Sequence, residues 1–159
     1  MSAAHPSPAE PTAAAAAAPA LSAELRAHFA PLLDGTLMER CGMELLTLDA
    51  GGGTMSMPVA GNTQPAGLLH GGATIALAES IASFAAILRA REVHGEGAQA
   101  VGTSVSALHH RSARTGLVTA TAVARHAGRQ VASYLVDVHD EAGMLLSTVT
   151  VEAMLLPPR

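Results

Sequence analysis

From His70 to Leu88 the chain reads HGGATIALAESIASFAAIL, and Glu79 is its only acidic residue. A carboxylate among apolar side chains is costly to ionise. It is therefore either exposed through the phase of a helix or held there because chemistry requires it. The residues just upstream favour the second reading. Gln64 supplies a hydrogen-bonding amide, His70 an imidazole, and Gly71 and Gly72 open a helix. The first N–H groups of a helix have no intrahelical acceptor and lie at the positive end of its dipole. Glycine at that point lets a substrate approach the backbone closely. A carbonyl oxygen gaining negative charge would be stabilised there, as in an oxyanion hole.

The spacing says more. Glu79 lies about two and a half helical turns beyond His70 and, at about 100° per residue, on the side opposite to it. One helix cannot easily bring both to a single atom. Two helices from a symmetric dimer can, with the glycine turn of one facing the mid-helix carboxylate of the other. Ser83, four residues after Glu79, shares its face and is placed to bind or orient a water beside it, or to bond back to a helix carbonyl.

The elements that must position these groups read as follows. Residues 21–33 have helical spacing, with Ser22 as a cap. Residues 43–49 and 54–59 are strand-like and flank a turn at Gly51-Gly52-Gly53. A polar loop over 62–67 precedes the long helix, from near His70 to about Arg91, which Gly95-Glu96-Gly97 ends. Four strands follow at roughly 98–109, 117–126, 130–139 and 144–155, separated by turn signals. The class is α+β: one long helix covering a face of an antiparallel sheet of about six strands.

Composition narrows the function. The chain has 159 residues, 49% hydrophobic but only 2% aromatic, and a net charge of -4. Its core must be built from Ala, Val, Leu, Ile and Met, and burial between protomers would help such a core. Nucleic acid is not expected as a partner, because no basic run is present. The lone Cys41 excludes an intrachain disulfide and fits a cytoplasmic protein. No metal is expected: His109 and His110 alternate sides of a strand, and His126 and His139 have no carboxylate or cysteine at the spacing of a known site. Residues 1–20, rich in Ala and Pro without a basic leader, read as a disordered tail, and 21–159 as a single domain. The apolar stretch at 70–88 is about long enough to span a bilayer. Its His, Glu, Thr and Ser residues argue against a membrane role.

The segment Gln64-Pro65-Ala66-Gly67-Leu68-Leu69-His70-Gly71-Gly72, continued by Ala78-Glu79-Ser80, resembles the active-site segment of the hotdog-fold acyl-CoA thioesterases. It is most similar to the phenylacetate-degradation and Arthrobacter-type 4-hydroxybenzoyl-CoA thioesterases and the menaquinone-pathway 1,4-dihydroxy-2-naphthoyl-CoA thioesterase. Residues 111–116 and 128–143 resemble that group too, so the likeness covers roughly 35–156.

The resemblance implies a hotdog fold, a long central helix wrapped by a curved antiparallel sheet. It implies homodimers with shared active sites, paired as a dimer of dimers into a homotetramer. It implies hydrolysis of an acyl- or aryl-CoA thioester, with no separate cofactor because CoA is part of the substrate. Glu79 would be nucleophile or general base, and the Gly71 amide would polarise the thioester carbonyl. Gln64 and His70 would position it, with Ser83 assisting at Glu79. Gly72, Arg111, Arg129 and Gln130 would meet the substrate or its CoA portion. Many relatives have Asn where this chain has Leu108-His109-His110, and many carry Asp where it has Glu79. The alternatives are a non-catalytic acyl-CoA sensor and a hotdog-type enoyl-CoA hydratase. The hydratases use an Asp/His pair on the central helix, and no histidine follows Glu79 within the helix expected to end near Arg91.

Overall fold

The computed structural model describes residues 21–158. The tail expected over 1–20 lies outside the described residues. Ser22 accepts a hydrogen bond from the Leu25 N–H and caps α1, Ala23–Phe29. Pro31 then forces a single tighter turn over Ala30–Leu32, since proline has no N–H to continue the helix. A short α2, Leu37–Arg40, is capped by Thr36; four residues carry too little periodicity for the sequence to announce it. The strands are β1 Glu44–Asp49, β2 Gly52–Pro58, β3 Gln99–His109, β4 Leu117–Ala127, β5 Val131–Asp140 and β6 Leu145–Leu156. The long helix α3 spans Gly71–His94.

One antiparallel sheet runs in the order β1-β2-β4-β5-β6-β3, so β3 crosses over to an edge beside β6. Helix α3 touches all six strands. Its buried side chains include Leu77, Ala78, Ile81, Ala82, Ala85 and Ala86, the three-and-four spacing of a helix with one face on a core. By length and composition α3 is apolar enough to cross a bilayer; here it supplies the core instead. From β5 the inward set is Ala132, Tyr134, Val136 and Val138, all fully buried. Phe29 closes one end and stacks at a tilt on Phe84, ring centroids 4.9 Å apart.

The triple glycine departs from expectation. Gly52 and Gly53 are not in the turn but inside β2, and both are buried. The reversal sits at Ala50-Gly51, where the Asp49 carboxylate accepts from the Gly51 N–H at 2.7 Å. A Cβ on Gly52 would collide with the Ala122 carbonyl, and one on Gly53 with the Thr47 carbonyl. The neighbouring strands approach too closely there for any side chain.

Candidate active site

The start of α3 is built by its preceding loop. Buried Asn62 donates from Nδ2 to the carbonyls of Cys41 and Pro58, both at 2.8 Å. Its own carbonyl accepts the His70 N–H at 2.8 Å. The Gln64 N–H donates to Leu68 O at 2.8 Å, and the Leu69 N–H to Ala113 O at the same distance. These bonds fix the backbone that carries Gln64 and His70.

His70 is the N-cap residue, and its Nδ1 accepts the Gly72 N–H at 2.8 Å. That bond assigns Nδ1 as acceptor and places the ring proton on Nε2. It also changes the role of the glycine pair. The Gly72 amide is taken by the cap, and Gly71 N–H is left with no acceptor among the described residues. Of the two glycine amides, one and not both is open at this helix end.

His109, at the end of β3, completes the surroundings. Its Nδ1 lies 2.8 Å from the hydroxyl of buried Ser147, and its ring covers Gly71. A Cβ on Gly71 would stand 2.9 Å from His109 Nε2, so a side chain at position 71 has no room. Gln64, Gly71, Thr74, His109, Arg111 and Ser147 line one cavity of about 200 Å³. His109 was not among the expected site residues. The sequence marked it as part of a His-His pair of alternating direction and as lying where many relatives have Asn, without giving it a role. That alternation holds, since His110 turns the other way, toward Thr148 Oγ1 at 3.1 Å.

Glu79 does not line this cavity. Eight residues beyond Gly71, it is displaced about 12 Å along the helix axis. It is half-buried, and its Oε1 rests beside Gly102 of β3. Ser83 is half-buried one turn further on. Of the two nearby serines it is Ser80 that bonds back to the helix, through Ala76 O at 2.7 Å. Arg129 and Gln130 lie in the β4–β5 turn, at the opposite end of α3. His94 Nε2 holds the Arg129 carbonyl at 2.6 Å, and Arg89 donates to the carbonyls of Ala127 at 2.7 Å and Gly128 at 3.3 Å. Within one chain, then, Gln64, His70, Gly71, Gly72 and Arg111 gather at the start of α3. Glu79 with Ser83, and Arg129 with Gln130, form two further groups along its length.

Comparison with known proteins gives consistent matches. The family described as the thioesterase superfamily matches residues 66–147. The proofreading thioesterase EntH of Cronobacter turicensis is 42% identical over 110 residues, covering 69% of this chain and 77% of the relative. Among solved structures, thioesterase HI1161 of Haemophilus influenzae superposes with a TM-score of 0.73 at 30% identity, covering 80% of this chain and 87% of that one. A glutamine-to-alanine variant of thioesterase PA1618 from Pseudomonas aeruginosa gives 0.75 at 31% identity, covering 82% and 93%.

Proposed function

The chain belongs to the thioesterase superfamily and has its hotdog fold, and we propose that this thioester hydrolase acts on acyl- or aryl-CoA with Glu79 and Gly71 at the reacting centre. The observation that carries the reading is the open Gly71 amide at the head of α3, facing a cavity that Gln64 and Arg111 share. The thioester carbonyl would sit there and accept the Gly71 N–H, which strengthens as charge develops on the oxygen. Gln64 and His70 would hold the thioester in place, His70 through the rigidity its cap gives the helix start.

Glu79 would come from a second copy of the chain, because the two groups are too far apart along one helix. Its carboxylate takes a proton from water, or adds to the carbonyl carbon itself. In either route the C–S bond breaks, and the CoA sulfur leaves as thiolate and is protonated. Water addition releases the acid directly. In the covalent route water then cleaves the mixed anhydride on Glu79, releasing the acid and regenerating the carboxylate. Ser83 lies one turn from Glu79, within reach of the attacking water. Arg111 at the cavity, with Gly72 beside it and Arg129 and Gln130 at the β4–β5 turn, would meet the CoA portion. CoA enters as part of the substrate, and these steps need no further group.

In this chain the helix carboxylate is Glu79, where many relatives carry Asp. With the upstream Gln and His-Gly-Gly, this favours the phenylacetate-degradation and Arthrobacter-type 4-hydroxybenzoyl-CoA subgroup. The test is thiol release from benzoyl-, phenylacetyl-, hydroxybenzoyl- and medium-chain acyl-CoA, beside the same acyl groups on carrier protein. Turnover on an aryl-CoA supports the reading, and binding without thiol release contradicts it. Glu79→Gln should lower kcat by about 10²-fold or more with the fold intact. Turnover near that of the unaltered enzyme would remove Glu79 from the mechanism.

A further inference from the structure

We infer that Gly102 of β3 is a positioning residue for the reaction, because its missing side chain sets where the Glu79 carboxylate rests. The inference rests on the assignment of Glu79 to the reacting centre.

Among the described residues strand β3 is paired only through β6, and the pairing shifts between Gly102 and Ser104: Gly102 faces Ala153 and Ser104 faces Glu152. Thr103 is the extra residue, and its Oγ1 donates to the Glu152 carbonyl at 3.2 Å. This is a β-bulge, which re-aims the residues around it. Before the shift the even positions Ala98 and Ala100 are the more buried; after it the odd positions Val105 and Ala107 are. Gly102 is the next even position on that face, opposite buried Ala153, and is itself exposed. The row then continues to His109, whose ring covers Gly71. One face of one strand therefore lies beside both the Gly71 α-carbon and the Glu79 carboxylate.

Backbone conformation does not demand glycine at 102. Its φ is not in the left-handed region, unlike that of nine other glycines. Glycine also weakens a strand interior, and it often marks a place where another group approaches closely. Here that group is Glu79: a Cβ built on Gly102 would lie 3.3 Å from Glu79 Oε1. This is tighter than ordinary contact, so the carboxylate would have to give by a few tenths of an ångström. A branched side chain would displace it further.

The experiment compares Gly102→Ala and Gly102→Val with the unaltered enzyme and with Glu79→Gln, on one aryl-CoA that the enzyme turns over. Misplacing a reacting group by about 1 Å lowers rate by about 10²-fold. We expect kcat to fall by about 3- to 10-fold for Ala and about 10²-fold for Val. KM should change less than about twofold, since the cavity that holds the substrate is untouched. Melting temperature should stay level or rise, because Ala and Val suit a strand better than Gly, and elution volume should stay unchanged. Full kcat in both variants while Glu79→Gln is inactive would overturn the role of Gly102 and leave that of Glu79 standing. Full activity in Glu79→Gln would overturn both. A fall in kcat matched by lost stability, altered elution or a raised KM would assign Gly102 to packing or substrate shape and overturn the inference.

Discussion

At the scale of single residues, two imidazoles divide the work around one amide. His70 takes the Gly72 N–H and His109 shields the Gly71 α-carbon, so that of the two glycine amides that of Gly71 stays open. Much of this was legible in the residue string, because a histidine ahead of two glycines marks a helix start. The part of His109 was not legible, because only the pairing of β3 with β6 brings it to Ser147. The single tyrosine gives a pH prediction. Tyr134 is fully buried, and its hydroxyl donates to Ala50 O at 3.1 Å. Burial pushes its pKa from 10.0 up to about 12, and the nearby Arg89 charge partly opposes this. Between those values the folded chain holds a proton that the unfolded chain has lost. Stability from this group is therefore complete below pH 10 and declines as pH rises toward 12, by about 3 kcal/mol in all. Native phenolate absorbance should titrate near 12, with the urea midpoint falling above pH 10. A midpoint near 10 in the folded protein would contradict the burial.

At the scale of elements, the loop before α3 and the paired strands do the positioning. Asn62 ties that loop to two carbonyls from one side chain. Asn62→Ala should destabilise the protein by about 2–3 kcal/mol, by leaving buried carbonyls unpaired. Because the same bonds set Gln64 and His70, it should also lower kcat/KM; unchanged unfolding and turnover would show that the loop is held otherwise. The strand order along the chain was readable from alternation and turn signals, as in β4, β5 and β6. The Gly52-Gly53 pair was misread because glycine signals both a turn and a close approach of strands. Only the sheet shows which applies, with Ala122 and Thr47 on either side. Likewise the bulge at Thr103 leaves no mark in the residue order; it is a property of the β3–β6 register.

At the scale of the whole molecule, the open amide and the carboxylate sit on one helix yet cannot meet. Strand β3 lies at the sheet edge, with Val101 and Leu108 about half to two-thirds exposed (51% and 63%). Such an edge is a ready surface for pairing with a second chain. A two-fold dimer would bring the start of α3 in one copy toward Glu79 of its partner. Small side chains dominate the core, and joining two such cores would add the apolar burial that a low-aromatic chain lacks. Mixed assemblies test this arrangement most directly. Glu79→Gln and Gln64→Ala place one defect on each side of the shared cleft. In a mixed dimer both defects fall in one site, and the other site is fully native. Co-expressed in equal amounts, the two variants should yield about a quarter of the native activity, since half the dimers are mixed and each has one intact site. Activity no higher than that of the separate variants would contradict a site shared between two copies.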